Sequence, residues 1–171
     1  MPLKPHRKDL EQSELQAQVN YDPNSGLFTR RTATGRWGRS KPGTLLGIAM
    51  PKGYIQVPIG HRKYLAHRLA WLYMTGAWPS AYIDHIDGDR ANNRWANLRD
   101  VPANINCQNR KAPQPYSRSG VLGVTIKAGG EITANIKRDG RSIYLGSFRE
   151  VGAAKAAYEA AKRALHPGYV P

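Results

Sequence analysis

The sequence predicts an α+β protein with two folded parts joined by a short linker. Up to residue 110, short strand-like runs alternate with turn residues and short helical stretches, which predicts a small N-terminal sheet over 20–66 and a strand–turn–strand–helix unit over 82–110. After residue 120, three strand-like runs precede one alanine-rich helix, which predicts an antiparallel sheet packed on that helix. Residues 112–119 hold Pro, Ser and basic residues with little apolar content, as linkers do. The expected domains are therefore 1–111 and 120–171.

Composition favours a nucleic-acid partner. The chain has 171 residues and a formal net charge of +14, spread along its length rather than massed in one tail. A basic protein without nucleic-acid chemistry, or a ribosome-like one, is the competing interpretation. The single cysteine, Cys107, excludes an internal disulfide and is expected to be a small buried residue. No apolar run approaches membrane-spanning length, so we expect no membrane partner and a cytoplasmic location.

The N-terminal part contains a basic, glycine-rich loop. Strands are predicted over 27–31, 44–50 and 53–59, and a helix over 67–76 that stops at Gly76. Between the first two strands the basic residues are interleaved with glycine and no acid, a composition that can follow a phosphate backbone or simply be solvated. The candidate DNA contacts here are Arg30, Arg31, Arg36, Arg39 and Lys41.

The segment 82–99 brings acid, histidine and asparagine together around a turn. Asp84-His85 joins a hard oxygen ligand to a group that accepts a proton near neutral pH. Gly88, with an aspartate on each side, predicts a turn, and Asn97-Leu98-Arg99 predicts the returning strand. Adjacent strand residues point to opposite sides. Asp84 and His85 can converge only where the chain turns, so the first strand is expected to end at Asp84.

This segment resembles the HNH nuclease motif, the ββα-metal site of phage-type homing endonucleases. The resemblance is carried by Asp84-His85-Ile86-Asp87-Gly88-Asp89, Asn92-Asn93-Arg94, Asn97-Leu98-Arg99, Asn106 and Asn109-Arg110. It implies that Asn97 braces the histidine loop without touching substrate. An Ala-His-Arg-Leu segment also precedes the motif in that family. His67 of this segment is expected either near the active site or as a structural histidine.

The resemblance implies phosphodiester hydrolysis with one divalent cation, magnesium or manganese. Asp84 and Asn106 would hold the ion through oxygen atoms, leaving positions for water and phosphate. His85 would be the general base. Arg94, Arg99 and Arg110 would bind phosphate or form salt bridges. Asp87 and Asp89 are expected to be turn residues, with ligands of a second ion as the alternative.

The C-terminal part resembles the APETALA-two / ethylene-response-factor DNA-binding domain. The residues that carry the resemblance are Gly123-Val124, Ala134-Asn135-Ile136, Tyr144-Leu145-Gly146-Ser147-Phe148 and Ala153-Ala154 with Ala157-Tyr158. Such domains lay their sheet in the major groove. Several arginine and tryptophan positions of plant members differ here, so no target sequence is carried over. The matching face comprises Thr125, Lys127, Asn135, Lys137, Ser142 and Tyr144.

Together these features predict a magnesium-dependent HNH endonuclease that cuts duplex DNA, of the phage or mobile-element homing type. The C-terminal domain would dock it on DNA, and the host cytoplasm would be its location if it is phage-encoded. Nicking or double-strand cutting, as monomer or homodimer, stays open. The alternative is a non-catalytic DNA-binding protein or transcription regulator that retains a nuclease fold. An RNA-directed nuclease is a third interpretation, for which only Tyr144 is a suitable stacking residue.

Overall fold

A computed structural model describes residues 10–33 and 40–170. Its elements are four α-helices and small antiparallel sheets, so the predicted α+β class is confirmed. The chain divides into two compact units, Met1–Val101 and Pro102–Pro171. The expected linker at 112–119 lies later in the chain than this division, and the predicted domain boundaries stay a prediction. Two predicted DNA contacts, Arg36 and Arg39, lie outside the described residues.

The first unit begins with a helix and a hairpin. Helix α1 (Gln12–Gln18) runs directly into strand β1 (Val19–Asp22), which pairs with β2 (Leu27–Arg30). The Asp22 carboxylate closes the turn between them by accepting bonds from the Asn24 N–H and the Ser25 hydroxyl, at 2.9 and 2.6 Å. Gly26 ends the turn at φ +75°, a conformation that suits glycine. The Gly26 N–H also donates to Asp22 O at 2.8 Å, so residues 22–26 form a closed turn.

The strand predicted over 44–50 is divided between two sheets. Strand β3 (Leu45–Leu46) pairs with β2, whereas β4 (Ile48–Ala49) pairs with β5 (Ile55–Ile59), which in turn pairs with β6 (Arg62–Leu65). The chain changes sheets at Gly47, where an added Cβ would lie 3.1 Å from Ile55 Cγ2. A strand-like run of apolar residues does not reveal such a change of partner.

Helix α2 (Ala66–Thr75) supplies much of the first unit's core. Its buried residues pack with α1, with the hairpin strands and with β5; the largest fully buried side chains in this core are Leu15, Val19, Phe28, Val57, Leu69 and Leu72. Gly76 ends the helix in the left-handed conformation, and its N–H donates to Leu72 O at 3.0 Å. The predicted helix and its stop are confirmed.

The first unit ends with the two strands around the candidate site. Strand β7 (Tyr82–His85) pairs with β8 (Leu98–Val101), and one turn of 3₁₀ helix, Trp95–Asn97, precedes β8. The prediction that the first strand ends at Asp84 is wrong by one residue, because His85 still pairs with Leu98. Burial of the His85 ring beside α2 explains why the strand continues to that residue.

The second unit contains helix α3, a three-stranded sheet and a long helix. Helix α3 (Ala103–Gln108) comes first, then β9 (Val124–Ile126), β10 (Ile132–Arg138), β11 (Arg141–Phe148) and α4 (Val151–Leu165). The sheet order is β11-β10-β9, all antiparallel, with small Ala154 of α4 in the core. The predicted strands and helix are confirmed. Cys107 is exposed, so the expectation that it is buried is wrong.

No helix within the described ranges combines the length and the apolar content that a membrane crossing requires.

Gly123 offers a test of packing in the second unit. It has φ +76°, and an added Cβ would lie 2.0 Å from ring atoms of buried Tyr158. Gly123→Ala should lower the free energy of unfolding in two ways. A residue with a Cβ in the left-handed conformation costs about 1–2 kcal/mol, and displacing the Tyr158 ring costs a further ~1–3 kcal/mol. Gly130 has a similar φ of +83° with open space around it. Gly130→Ala should therefore lower the free energy of unfolding only by the contribution of the backbone conformation.

The two glycine variants are compared by urea-dependent hydrogen exchange over residues 124–165 of the full chain. Equal destabilisation by both would mean that the Tyr158 contact does not restrict position 123.

Candidate active site and nucleic-acid interface

Asp84 and His85 are both buried at the end of β7, with 6% and 4% of their surface exposed. Adjacent residues on a strand face opposite sides. On one side Asp84 meets its cross-strand neighbour Arg99, whose Nε and Nη2 both donate to Asp84 Oδ2 at 2.9 and 2.7 Å. This ion pair compensates the buried carboxylate. A cation bound at Asp84 would therefore share the carboxylate with Arg99.

On the other side, the His85 ring lies in an aromatic environment. Its centroid is 5.1 Å from that of His67, edge to face, and 6.2 Å from that of Tyr54. Burial lowers the pKa of His85, and it outweighs the opposing effects of the hydrogen bond that Nε2 donates to Asn93 Oδ1 and of the charges of three nearby aspartates. The neutral imidazole is therefore favoured near pH 7, which is the state a general base needs.

His67 lies beside this histidine rather than at a remote structural position. It is buried on α2, and its ring packs against both Tyr54, at 5.3 Å, and His85. Arg90 covers the Tyr54 ring at 4.9 Å and donates to Lys52 O at 3.1 Å. His67 was expected either near the active site or as a structural histidine, and the structure has it beside His85. Tyr54 and Arg90 had no signal in the sequence, because only the tertiary fold brings them here.

Asn97 holds the loop between β7 and β8. Its Nδ2 donates to Asp87 Oδ1 at 2.9 Å and to Asn92 O at 2.8 Å, and its Oδ1 accepts from the Asp87 N–H at 3.0 Å. Its backbone carbonyl accepts from the Ile86 N–H. These are the contacts that the predicted bracing role requires, and the role itself stays a prediction.

Asp87 and Asp89 use their carboxylates inside this loop. Asp87 also accepts from the Asp89 N–H at 2.8 Å and from Asn92 Nδ2 at 2.6 Å, while Asp89 accepts from the Ala91 N–H at 2.9 Å. Partial burial acts to raise the pKa of Asp87, but the hydrogen bonds from Asn97, Asn92 and Asp89 outweigh it, and the pKa is lowered. Both residues therefore have the contacts of turn residues.

The donor chemistry fits one hard cation better than two. Within the described residues, no group of three or more His, Cys, Asp or Glu side chains is arranged to hold a metal ion. Magnesium, however, is often held by one or two protein oxygens and completed by water and phosphate. Asp84 supplies such a carboxylate in the first unit. Asn106 lies on α3 of the second unit, and its service as the second ligand stays a prediction.

Asn93 is the site residue that sequence reasoning missed. Only 3% of its surface is exposed, and its Oδ1 lies 3.4 Å from His85 Nε2. The paired asparagines Asn92-Asn93 were part of the motif, but nothing in the sequence distinguishes the half-buried Asn92 from the buried Asn93. The burial of Asn93 depends on the N-terminal hairpin, whose Tyr21 contacts it from 72 positions earlier in the chain.

The predicted basic contacts of the first unit differ in their surroundings. Arg94 and Lys41 are exposed. Arg31 is exposed but donates to Gln16 O at 2.8 Å, and Arg30 is half-buried at the end of β2. In the second unit, Arg110 is exposed just after α3. Contact of any of these residues with DNA stays a prediction.

The residues predicted to face DNA in the second unit occupy one face of its sheet. Register pairs Asn135 with Tyr144 and Lys137 with Ser142, and Thr125 lies beside Thr133 on the same face. A bulge in β11 turns both Leu145 and Gly146 toward α4, which returns Ser147 to the outer face. The predicted positions therefore share one face of the sheet, on which Thr133 is almost fully buried, and their contact with DNA stays a prediction.

An exposed carboxylate organises part of that face. Glu131 accepts from Lys127 Nζ at 2.8 Å and from the Ser147 hydroxyl at 2.6 Å, and Ser147 in turn contacts the Tyr144 hydroxyl at 2.7 Å. The charge of Lys127 is thus paired with that of Glu131. Lys137 is exposed, and it does not take part in any of the ion pairs found among the described residues.

Part of this chain matches a known protein family, and one solved structure is similar to it. Residues 64–108 match the family described as HNH endonuclease, a segment that includes Asp84, His85, Asn97 and Asn106. A solved structure on DNA binding and cleavage by the HNH homing endonuclease I-HmuI is similar at 23% identity with a TM-score of 0.42. The alignment covers 54% of this chain and about half, 51%, of that one. The comparison with curated proteins found no match.

The Asp84–Arg99 pair can be tested by a double-mutant cycle. Arg99→Met leaves a buried carboxylate without its cation, so the free energy of unfolding should fall by about 3 kcal/mol. Adding Asp84→Asn should restore part of the loss, because no charge is then left unpaired. Arg31→Met, which removes an exposed arginine from the same unit, should change stability by about 0.5 kcal/mol or less.

Urea unfolding followed by tryptophan fluorescence measures these differences, because all four tryptophans, Trp37, Trp71, Trp78 and Trp95, belong to the first unit. Additive effects of the Asp84 and Arg99 changes would mean that the two side chains do not interact energetically.

Proposed function

We propose that this protein is a divalent-metal-dependent HNH endonuclease that hydrolyses phosphodiester bonds of duplex DNA. The single observation that carries the proposal is His85. It is a buried histidine with a lowered pKa, it follows Asp84 directly at a strand end, and it lies in the segment that matches HNH endonucleases. A net charge of +14 supports a polyanionic substrate.

Each site residue has a distinct role in this proposal. His85, held neutral by its environment, takes the proton of the attacking water. Asp84 and Asn106 would hold the cation, magnesium or manganese, which when bound supplies charge stabilisation at the phosphoryl oxygens and at the leaving 3′ oxygen. Asn97 keeps the loop after His85 in place. Arg99 orients the Asp84 carboxylate through its two hydrogen bonds to Oδ2.

The second unit would dock the enzyme on the duplex. Support comes from the polar outer face of its sheet, which combines hydrogen-bonding side chains at Asn135, Ser142 and Tyr144 with the cation of Lys137. This is the surface that the resemblance to APETALA-two domains implies. A homing role on phage or other mobile DNA, as nick or double-strand cut, belongs to the same proposal.

One observation favours a non-catalytic DNA-binding protein as the second candidate. The Arg99 guanidinium already engages Asp84 Oδ2 through two N–H groups, which is a way to satisfy a buried carboxylate without a metal. In that case the fold would bind DNA through its basic surface and the site would be inert. A cleavage assay distinguishes the two candidates directly.

His85→Ala should lower the rate of magnesium-dependent plasmid nicking by about 10²–10⁴-fold, because the general base is lost. His61→Ala is the matched control, since His61 is exposed in the turn between β5 and β6 and belongs to no predicted site. It should cut as the wild type does. The assay uses supercoiled plasmid that carries DNA flanking the gene, with and without chelator.

DNA binding by the His85→Ala variant should stay near the wild-type value, which a gel-shift measurement checks. Retarded but uncut plasmid with wild-type protein across several divalent metals would support the non-catalytic candidate. Equal cutting by wild type and His85→Ala would remove His85 from the mechanism.

Lys137→Ala tests the docking face. If Lys137 contacts a phosphate, the slope of log K against log salt should become less steep by about one unit. Lys155→Ala removes the same charge from the exposed side of α4, away from the sheet face, and should leave the slope unchanged. Fluorescence anisotropy with labelled duplex at several salt concentrations measures both. Identical slopes for the two variants would contradict docking through this face.

A further inference from the structure

The side-chain amide of Asn93 has a defined orientation. Its Nδ2 donates to Ala91 O at 2.9 Å, and its other end lies 3.4 Å from His85 Nε2. A carbonyl oxygen accepts but cannot donate, so the end that faces Ala91 O must be the NH₂ group. Reversing the amide would place two acceptor oxygens against each other. The atom that faces His85 is therefore Oδ1, an acceptor.

An acceptor at Nε2 determines where the neutral imidazole carries its proton. In neutral histidine one ring nitrogen is a donor and the other an acceptor. A hydrogen bond from Nε2–H to Asn93 Oδ1 leaves the lone pair on Nδ1. The distance of 3.4 Å is longer than the typical range of about 2.7–3.2 Å, as is common for catalytic hydrogen bonds in the absence of substrate.

We propose that Asn93 is a positioning residue that holds the His85 ring with Nε2 protonated and Nδ1 as the nitrogen that accepts the proton. The inference rests on the proposed function of His85 as general base. It goes beyond that function by naming the reacting nitrogen and the side chain that selects it. Asn93 acts through His85 and need not touch DNA.

The N-terminal hairpin fixes the position of Asn93. The Tyr21 hydroxyl donates to Asn93 O at 2.7 Å. Gly26 approaches the same peptide so closely that an added Cβ would lie 2.4 Å from Asn93 C and 2.5 Å from Arg94 N. Tyr21 is itself held by Phe28 and Tyr73, whose ring centroids lie 4.8 and 5.7 Å away. Asn93 is thus held in place through its backbone, and its side-chain Oδ1 can accept the hydrogen bond from His85 Nε2.

His67 and Tyr54 complement this arrangement without replacing it. Their rings pack around the His85 ring and restrict its movement. Ring packing of this kind does not by itself distinguish the two nitrogens of an imidazole. The hydrogen bond to Asn93 is directional, and it does distinguish them.

The tautomer of His85 can be read from the ¹⁵N shifts and two-bond ¹H–¹⁵N couplings of its ring in the full chain, without metal, where the imidazole is neutral. The wild type should have Nε2 protonated. Asn93→Ala should populate the form protonated on Nδ1 and should lower kcat for DNA cleavage by about 10–100-fold with KM unchanged. Asn93→Asp loses the bond to Ala91 O but keeps an acceptor oxygen toward His85, and it should keep the wild-type tautomer.

Asn92→Ala is the matched control. Asn92 lies in the same loop and donates to Asp87 Oδ2 at 2.6 Å, away from the His85 ring nitrogens that Asn93 faces. It should change loop stability without changing the tautomer. If Asn93→Ala does not fold, Tyr21→Phe provides the second variant, because it removes only the hydroxyl that anchors Asn93 and should produce the same changes to a smaller extent.

A wild-type ring protonated on Nδ1 would overturn the inference, and so would an Asn93→Ala variant with an unchanged tautomer. A loss of kcat in Asn92→Ala equal to that in Asn93→Ala would assign the effect to the loop rather than to His85. If the wild type cuts no DNA but Asn93→Ala still changes the tautomer, the proposed function fails and the role of Asn93 stands.

Discussion

The arrangement of the candidate site depends on the hydrogen-bonded loop that joins β7 to β8. Asp87 and Asn97 join the two ends of this loop with reciprocal bonds between side chains and backbone, and Asn92 adds a third connection. A short loop can bury an ionisable ring at its base only if its own polar groups are satisfied. Because these residues satisfy one another, His85 can be withdrawn from water and kept neutral.

The two sides of β7 give Asp84 and His85 different electrostatic surroundings. On one side the Arg99 guanidinium donates two hydrogen bonds to the Asp84 carboxylate and compensates its burial. On the other side aromatic rings surround the His85 imidazole, and its burial lowers the pKa in spite of the charges of Asp87, Asp84 and Asp89. A single strand end thus carries an anion and a neutral base on adjacent residues, with their surroundings separated by the pleat of the strand.

The sequence was most informative where chemistry is local. The turn at Gly88 and the helix stop at Gly76 depend on residues within a few positions of one another, and the structure has both as expected. It was least informative where distant segments meet. The division of 44–50 at Gly47, the exposure of Cys107 and the burial of Asn93 are decided by partners far away in the chain, which periodicity and turn preferences do not encode.

The close contact between the N-terminal hairpin and the loop after β7 has a consequence for folding. Tyr21 and Asn93 are separated by 72 positions, and Pro23 O also accepts from the Trp95 N–H. Contacts between segments so far apart carry a large loop-closure entropy and form late. The strands around His85 can pair locally much earlier. The complete candidate site therefore forms only after the hairpin docks on the loop that carries Asn93.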